Sequence, residues 1–172
     1  PTLVGMASEG NPFSGVLYTG LMFTRDGPRV IEYNARLGDP ETQAVLMRLD
    51  SDLVEVLDAI IDGRIGSTSI AWSNDSSVCI IAASGGYPGE FEKGKIINGL
   101  EEAKRIDGAV VFHAGTALDD RGRFINSGGR VLGVTGQGDT LEEARARAYK
   151  AMSLISFEGC HYRTDIARSS SG

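Results

Sequence analysis

Three polar side chains alternate along one predicted strand, where they could together bind a metal ion and phosphate. Glu32, Asn34 and Arg36 occupy every second position of Val30–Arg36, and successive side chains of a strand point to opposite faces. Glu32 and Asn34 offer the hard oxygen ligands that Mg²⁺ prefers. Arg36 can bind a phosphate or carboxylate through two parallel hydrogen bonds. The same spacing equally fits an edge strand whose polar face is solvated.

A tight turn and the start of a helix follow this strand. Gly38 predicts the turn, Asp39 the N-cap, Pro40 the first helical position and Glu41 an acid in the first turn. Backbone N–H groups at such a helix start could bind an anion. The helix is expected to run from Pro40 to Leu49.

The polar strand is predicted to be the second strand of a hairpin. Residues 15–23 form an almost continuous apolar run, which is typical of a strand covered on both faces. Arg25–Pro28 is a turn signal, and residues 29–36 return as the second strand. We therefore expect the polar face of the second strand to line a cleft.

A second helix and a change of composition follow. Asp50 or Ser51 is predicted to cap the helix and Gly63 to end it. Its apolar residues have helical spacing, namely Leu53, Leu57, Ile60 and Ile61. A domain boundary is predicted at about residues 64–74, which are rich in serine, glycine and asparagine.

Beyond the boundary, the pattern predicts a small β-rich α+β module. Strands are predicted at residues 78–83, 109–113 and 130–135, with a short one at 124–126. Thr140 and Glu143 form a capping box that opens a helix at about residues 141–155. The glycine-rich loop 85–99 carries Lys93 and Lys95, which either lie over a phosphate or are solvated.

The glycine motif near residue 136 and the two histidines of the chain favour structural roles. Gly136 and Gly138 imitate a dinucleotide-binding fingerprint, but Leu141 stands at the third glycine position and no parallel βαβ unit follows. His113 and His161 are far apart in sequence, and no third metal ligand accompanies them. We interpret both as hydrogen-bonded structural histidines.

Composition excludes several classes of protein. Lys and Arg number 17 against 23 Asp and Glu, a net charge of −6, so the chain lacks the basic surface of a nucleic-acid binder or of a protein bound to an anionic membrane. No apolar run reaches transmembrane length. Cys79 and Cys160 are isolated, which predicts neither a zinc site nor a disulfide and favours the cytoplasm. The first residue, Pro1, suggests a piece of a longer protein.

Several motifs in order resemble the phosphoribosylamine–glycine ligases, a family of ATP-grasp ligases. The resemblance covers roughly residues 1–167. Its motifs are Gly15–Met22, Glu32–Gln43, Gly86–Gly89, Lys93–Gly94, Val111–Thr116, Gly128–Leu132, Thr140–Ala144 and Tyr162–Ile166. Tyr33 and Leu37 stand where the family commonly has phenylalanine, and both are expected to face the core. Ala167 stands where glycine is usual.

The resemblance implies an α+β fold in two parts. Residues 1–70 would be the C-terminal portion of an ATP-grasp domain, with antiparallel strands and helices. Residues 71–168 would be a small β-rich, barrel-like C-terminal domain, and residues 169–172 a tail. The parent enzyme would use ATP to join 5-phosphoribosylamine to glycine, giving glycinamide ribonucleotide, ADP and phosphate in purine biosynthesis.

The resemblance also assigns roles to residues. Glu32 and Asn34 match metal ligands for Mg²⁺ or Mn²⁺, and Arg36 is the candidate catalytic residue. Gly38, Asp39 and Glu41 are candidates for binding glycine or 5-phosphoribosylamine. The nucleotide lobe and the N-terminal substrate domain would lie upstream, so we expect this piece to be inactive alone. The alternatives are a non-catalytic structural or interaction module and another ATP-grasp carboxylate–amine ligase.

Overall fold

A computed structural model of the chain describes residues 1–168, which divide into two compact units. The first, here called the hairpin unit, contains residues 1–39 and 49–72. The second, the sheet unit, contains residues 40–48 and the described chain from Ser73 onward. The predicted division into domains at residues 70 and 71 stays a prediction, and the tail at 169–172 lies outside the described residues.

The described elements combine short helices with antiparallel strands. In chain order they are α1 Thr2–Ser8, β1 Tyr18–Thr24, β2 Gly27–Asn34, α2 Glu41–Leu46, α3 Leu53–Ile61, a 3₁₀ turn Ile65–Ser67, β3 Ser76–Ala83, α4 Leu100–Ala103, β4 Ala109–His113, β5 Thr116–Leu118, β6 Phe124–Asn126, β7 Arg130–Gly138 and α5 Leu141–Met152. The predicted α+β class is confirmed. Helices α1, α4 and strand β5 were not predicted, because such short segments carry little periodicity.

The predicted hairpin is confirmed, with a bulge in its second strand. Strands β1 and β2 pair antiparallel with Thr24 opposite Gly27, which leaves a two-residue turn. Gly27 has φ +99°, a left-handed conformation that favours glycine. Leu21 pairs with Val30 and Gly20 with Glu32, so Ile31 is the extra residue of a β-bulge.

The apolar residues of the hairpin are not covered on both faces as expected. Within the hairpin unit, Leu21, Met22 and Phe23 are exposed, Phe23 to 80%. Tyr33 and Leu37 are exposed too, so the expectation that both face the core is wrong for this chain. Periodicity identifies an apolar strand, but it does not say whether the same chain supplies the covering surface.

Helix α3 begins later than predicted. Its N-cap is Asp52, whose Oδ1 accepts a hydrogen bond from the Val54 N–H at 2.7 Å, so the prediction of Asp50 or Ser51 is wrong. All three residues favour the N-cap position. The predicted stop at Gly63 is confirmed by its φ of +69°, which suits a helix end in glycine.

The sheet unit is built on a three-stranded antiparallel sheet in the order β3-β7-β4. Strands β5 and β6 form a separate antiparallel ribbon. Within residues 1–168 these sheets stay open, so the barrel-like closure implied by the resemblance is not present. The core lies mainly between the sheet and α5, and its largest buried apolar side chains are Ile80, Leu132, Met152, Val131 and Val134.

Helix α5 packs against β7 at the two glycines of the apparent dinucleotide fingerprint. A Cβ atom on Gly136 would lie 2.3 Å from the Ala144 carbonyl oxygen and 2.5 Å from the Ala148 nitrogen. A Cβ on Gly138 would lie 2.8 Å from the Glu143 Cβ. These glycines therefore permit close packing of the helix on the strand, which is a structural role.

The predicted cap of α5 is confirmed in part. The Thr140 Oγ1 accepts a hydrogen bond from the Glu143 N–H at 3.2 Å. The Glu143 carboxylate accepts from the N–H of Asp139, not of Thr140. In a capping box this second hydrogen bond comes from the N–H of the N-cap residue, whereas here it comes from the residue before the N-cap.

Helix α2 belongs to the sheet unit and begins one residue later than predicted. Pro40 occupies its N-cap position, so the prediction that Asp39 is the N-cap residue and Pro40 the first helical residue is wrong. The helix covers six residues and ends at Leu46. The Ser77 hydroxyl on β3 donates a hydrogen bond to the Ala44 carbonyl oxygen at 2.6 Å.

Candidate active site

Glu32 and Asn34 meet on the polar face of β2. The Asn34 Nδ2 donates a hydrogen bond to the Glu32 Oε1 at 3.1 Å. Gly20 lies directly across the hairpin from Glu32, and a Cβ on Gly20 would lie 3.2 Å from the Glu32 Cγ. A glycine at this position therefore leaves room for the carboxylate. The alternation expected from the sequence brings these two side chains together.

The donor set of this pair fits a hard divalent cation. A carboxylate that accepts one hydrogen bond retains its second oxygen, and an amide that donates through nitrogen retains its oxygen as an acceptor. Mg²⁺ is commonly bound through one or two carboxylates, with water and substrate phosphates as its other ligands. Among residues 1–168, no group of three or more His, Cys, Asp and Glu side chains could hold a metal ion. A cation bound by Glu32 and Asn34 would therefore depend on other ligands as well.

Arg36 lies beyond the end of β2, which stops at Asn34. Its Nη1 donates a hydrogen bond to the Leu37 carbonyl oxygen at 3.0 Å. Arg36 is exposed, and strand alternation no longer determines its direction. The structure therefore shows contact between Glu32 and Asn34, whereas Arg36 follows in a bend.

The remaining candidates follow along the chain. Gly38 is buried and Asp39 is exposed, both in the hairpin unit. Glu41 is exposed at the first position of α2, in the sheet unit. The candidate residues are thus contributed by both units, with the boundary between Asp39 and Pro40.

The glycine-rich loop 85–99 is held by an internal polar network. Asn126 lies at its centre and is only 1% exposed. The Asn126 Oδ1 accepts a hydrogen bond from the Lys95 backbone N–H at 2.7 Å. The Asn126 Nδ2 donates to the Ser84 Oγ and to the Glu92 carbonyl oxygen. The Lys95 Nζ lies 2.7 Å from a Glu92 carboxylate oxygen and 2.9 Å from one of Glu158. The hydrogen bonds that Lys95 donates to Glu92, and secondarily to Glu158, raise the pKa of Lys95. These contacts support a structural role for Lys95.

The contacts of His113 are also structural. One ring nitrogen, Nδ1, lies 3.0 Å from the Thr116 Oγ1, and the ring packs on Phe124 with centroids 4.5 Å apart. Burial, and secondarily the charge of Lys104, lower the pKa of His113.

The sequence analysis did not identify Asn126, because a single polar residue in a short strand gives no signal of burial.

Family comparisons agree with the order of the two units. The ATP-grasp (A) domain of phosphoribosylglycinamide synthetase matches residues 1–42, and the C domain of the same enzyme matches residues 77–169, more than half of the chain. The chain belongs to the phosphoribosylglycinamide synthetase family. The resemblance seen in the sequence is thereby confirmed.

Curated relatives carry the name phosphoribosylamine–glycine ligase. The protein of Caldanaerobacter subterraneus subsp. tengcongensis is 49% identical over 97% of this chain and 39% of its own length. The chloroplastic protein of Arabidopsis thaliana is 52% identical over 96% of this chain and 32% of its own length. The chain therefore spans about two fifths or less of the length of these relatives.

Solved structures support the same fold. The crystal structure of phosphoribosylamine–glycine ligase from Thermotoga maritima matches with a TM-score of 0.82 and 36% identity, over 95% of this chain and 40% of that one. N5-carboxyaminoimidazole ribonucleotide synthetase from the same organism matches with a TM-score of 0.58 and 19% identity, over 90% of this chain and 40% of that one. The second likeness shows the fold alone.

Proposed function

We propose that this chain is part of an ATP-dependent ligase that joins 5-phosphoribosylamine to glycine in purine biosynthesis. The observation that carries the proposal is the Glu32–Asn34 oxygen pair, which lies in the segment matched by the ATP-grasp domain. The names and identities of the curated relatives support the choice of substrates.

The proposed reaction has two steps. First, the γ-phosphoryl group of ATP is transferred to a carboxylate oxygen of glycine, which gives an acyl phosphate and ADP. Next, the amine nitrogen of 5-phosphoribosylamine attacks the acyl carbon. The C–N bond forms, the bond from carbon to the phosphate oxygen breaks, and the nitrogen loses a proton.

Each candidate residue has a role in this scheme. Glu32 and Asn34 would hold Mg²⁺ or Mn²⁺ through their oxygens. The bound cation would supply neutralisation of charge on the ATP phosphates. Arg36 would stabilise phosphoryl or carboxylate charge through its guanidinium. Gly38, Asp39 and Glu41 would hold glycine or 5-phosphoribosylamine.

The exposed apolar side chains of the hairpin support a further part of the proposal. Leu21, Met22, Phe23 and Ile31 are all exposed in this chain. We propose that the rest of the same enzyme packs on them, since burying an apolar side chain contributes about 1.5–3 kcal/mol. The partners of the chain are then ATP, the two substrates and the remainder of the enzyme, with no nucleic acid or membrane.

We propose the cytoplasm as the compartment. Cys79 and Cys160 are isolated in the sequence and have no CxxC spacing, which is typical of proteins in a reducing compartment. Among residues 1–168, no helix has both the length and the apolar character needed to cross a membrane. The Arabidopsis thaliana relative, by contrast, is named as chloroplastic.

The test is a ligase assay of the full-length protein that contains this chain. ADP release is measured with ATP, glycine and 5-phosphoribosylamine, and then with each omitted or with glycine replaced by other amino acids. We expect release that depends on both substrates. Equal or faster turnover with another carboxylate or amine would favour a different ATP-grasp ligase.

The chain alone serves as the second arm of this assay. We expect no glycine-dependent ADP release from it, because positioning of reactants contributes roughly 7–11 kcal/mol to well-oriented reactions and most of the enzyme's length is missing. Turnover by the chain alone, above a control without enzyme, would contradict this expectation.

A further inference from the structure

Helix α2 rests on one face of the central sheet of the sheet unit, and α5 rests on the other. Residues 133 and 136 of β7 point to opposite faces, because side chains alternate along a strand. A Cβ on Gly136 would meet α5, whereas a Cβ on Gly133 would lie 3.3 Å from the Cys79 Sγ and 3.5 Å from the Gln43 Cγ of α2. Gly133 thus forms the floor beneath Gln43.

Hydrogen bonds attach both the helix and its exit to the sheet unit. The Ser77 hydroxyl donates to the Ala44 carbonyl oxygen at 2.6 Å. After the helix, the Ser73 N–H donates to the Arg48 carbonyl oxygen at 2.8 Å, and the Arg48 Nη2 donates to the Ser73 carbonyl oxygen at 3.0 Å. The chain that enters β3 therefore holds the end of α2.

A helix this short depends on these contacts for its placement. Isolated helices shorter than about 12–15 residues are marginal in water, and α2 has six residues. The last four carbonyl groups of a helix lack partners within the helix, and Ala44 is among them. Ser77 satisfies this carbonyl group. The opposite side of α2, with Glu41 and Val45, is exposed.

We infer that Ser77 and Gly133 are positioning residues for Glu41, so that the sheet unit contributes to substrate binding through α2. The inference rests on the proposed function, in which Glu41 binds glycine or 5-phosphoribosylamine. Ser77 fixes the helix along its axis by holding one carbonyl group, and Gly133 sets the depth at which Gln43 sits on the sheet. Neither residue touches substrate; both act through the orientation of α2.

The experiment compares variants of the full-length enzyme by kcat, by KM for each substrate and by thermal melting. Ser77→Ala removes the hydrogen bond to α2, and Ser77→Thr keeps a hydroxyl. A Cβ alone at position 133 would be in ordinary contact with the Gln43 Cγ, so Gly133→Val, which adds two methyl groups beyond the Cβ, is the variant that crowds Gln43. Thr140→Ala is the matched control, since it removes one hydrogen bond at α5, on the other face of the same sheet. Glu41→Gln tests the proposed role of Glu41 itself.

We expect Ser77→Ala to raise one substrate KM about threefold to tenfold, the size of one lost hydrogen bond, with kcat little changed. Gly133→Val should raise the same KM. Glu41→Gln should raise the same KM. Ser77→Thr should restore the wild-type KM. Thr140→Ala should lower the melting temperature and leave this KM unchanged. The double variant Ser77→Ala/Glu41→Gln should have the same KM as Glu41→Gln, because two substitutions that act through the same group do not have additive effects.

The outcomes separate this inference from the proposed function. If Glu41→Gln raises KM but Ser77→Ala and Gly133→Val behave like Thr140→Ala, the positioning role is wrong and the role of Glu41 stands. Additive effects in the double variant also overturn the inference. If Glu41→Gln leaves every KM unchanged, the proposed role of Glu41 is wrong, and the inference fails with it whatever Ser77→Ala does.

Discussion

The hairpin unit and the sheet unit differ most in how much of their apolar surface they bury. Of the apolar side chains that are buried among residues 1–168, only Ala59 lies in the hairpin unit, and all the others lie in the sheet unit. The hairpin unit nevertheless carries Glu32, Asn34 and Arg36. Most of the candidate chemistry therefore lies in the unit with little core of its own, whereas the sheet unit has a core sufficient to hold its shape.

The reason for this difference lies in how the strands are covered. Strand β7 has a partner strand on each side, α5 on one face and α2 on the other, so Val131, Leu132 and Val134 are completely buried. Within residues 1–168, the strands β1 and β2 pair only with each other. A two-stranded hairpin is at best marginally stable in water unless another surface packs against it. The order of the hairpin should therefore depend more on its surroundings than that of the sheet.

The largest expected effect is the loss of a core side chain from the sheet unit. Leu132→Ala should lower the free energy of unfolding of the chain by about 2–5 kcal/mol, because Leu132 is 0% exposed and its truncation leaves a cavity. The matched substitution in the hairpin unit is Ile61→Ala, at a side chain that is 78% exposed. It should change that free energy by less than about 0.5 kcal/mol.

Urea unfolding of the chain, followed by circular dichroism, measures both changes. Equal losses for Leu132→Ala and Ile61→Ala would break the comparison between the two units. A biphasic transition with only its more stable phase shifted by Leu132→Ala would sharpen it, since the sheet unit would then unfold separately.

The second prediction concerns the metal pair in the full-length enzyme. Glu32→Gln removes a charge at nearly constant size, and Asn34→Leu removes the amide oxygen. Both should raise the Mg²⁺ concentration needed for activity, Glu32→Gln by about tenfold or more, because a carboxylate contributes charge to a divalent site whereas an amide contributes only a dipole. The measurement is the initial rate as a function of Mg²⁺ concentration, with thermal melts alongside.

Ile31→Val is the control for the metal prediction. Ile31 adjoins Glu32 in β2, is the extra residue of the bulge, and carries no side-chain oxygen that could bind a metal ion. Its truncation should leave the Mg²⁺ dependence unchanged. A shifted Mg²⁺ curve for Ile31→Val with a normal curve for Glu32→Gln would mean that the assigned faces of β2 are inverted. If all three variants melt earlier but keep the same Mg²⁺ curve, the polar face is structural.

Local patterns predicted local structure well in both units. The alternation of Glu32 and Asn34 placed their side chains in contact, and Thr140 caps α5. Each of these features depends on a few neighbouring residues, so sequence spacing is sufficient to identify it. The roles assigned to Glu32, Asn34, Arg36, Gly38, Asp39 and Glu41 stay predictions.

The features that sequence analysis missed depend on distant contacts. Membership of α2 in the sheet unit depends on Ser77 and Gly133, which lie far along the chain from Gln43. The exposure of the hairpin depends on whether another surface covers it. In the sheet unit, the resemblance implied a barrel-like domain, whereas the sheets are open. Asp39 and Asp52 are equally good capping residues in isolation, yet Asp52 occupies the N-cap position of α3, whereas Pro40 occupies that of α2.

The smallest expected effect tests one departure from the family pattern. Ala167, where the resemblance makes glycine usual, has φ +53° in the structure, a left-handed conformation that costs roughly 1–2 kcal/mol for a residue with a Cβ. Ala167→Gly removes that cost but increases the entropy of the unfolded chain, so we expect a net gain of about 0.5–1 kcal/mol in the free energy of unfolding.

The matched control is Ala117→Gly, at an exposed position in the middle of β5, which should lose about 0.5–1 kcal/mol. Opposite signs for the two substitutions in urea unfolding would show that the left-handed backbone, and not glycine as such, accounts for the gain. A loss of stability at both positions would mean that the chain near Ala167 relaxes without strain, and the turn would then not depend on glycine.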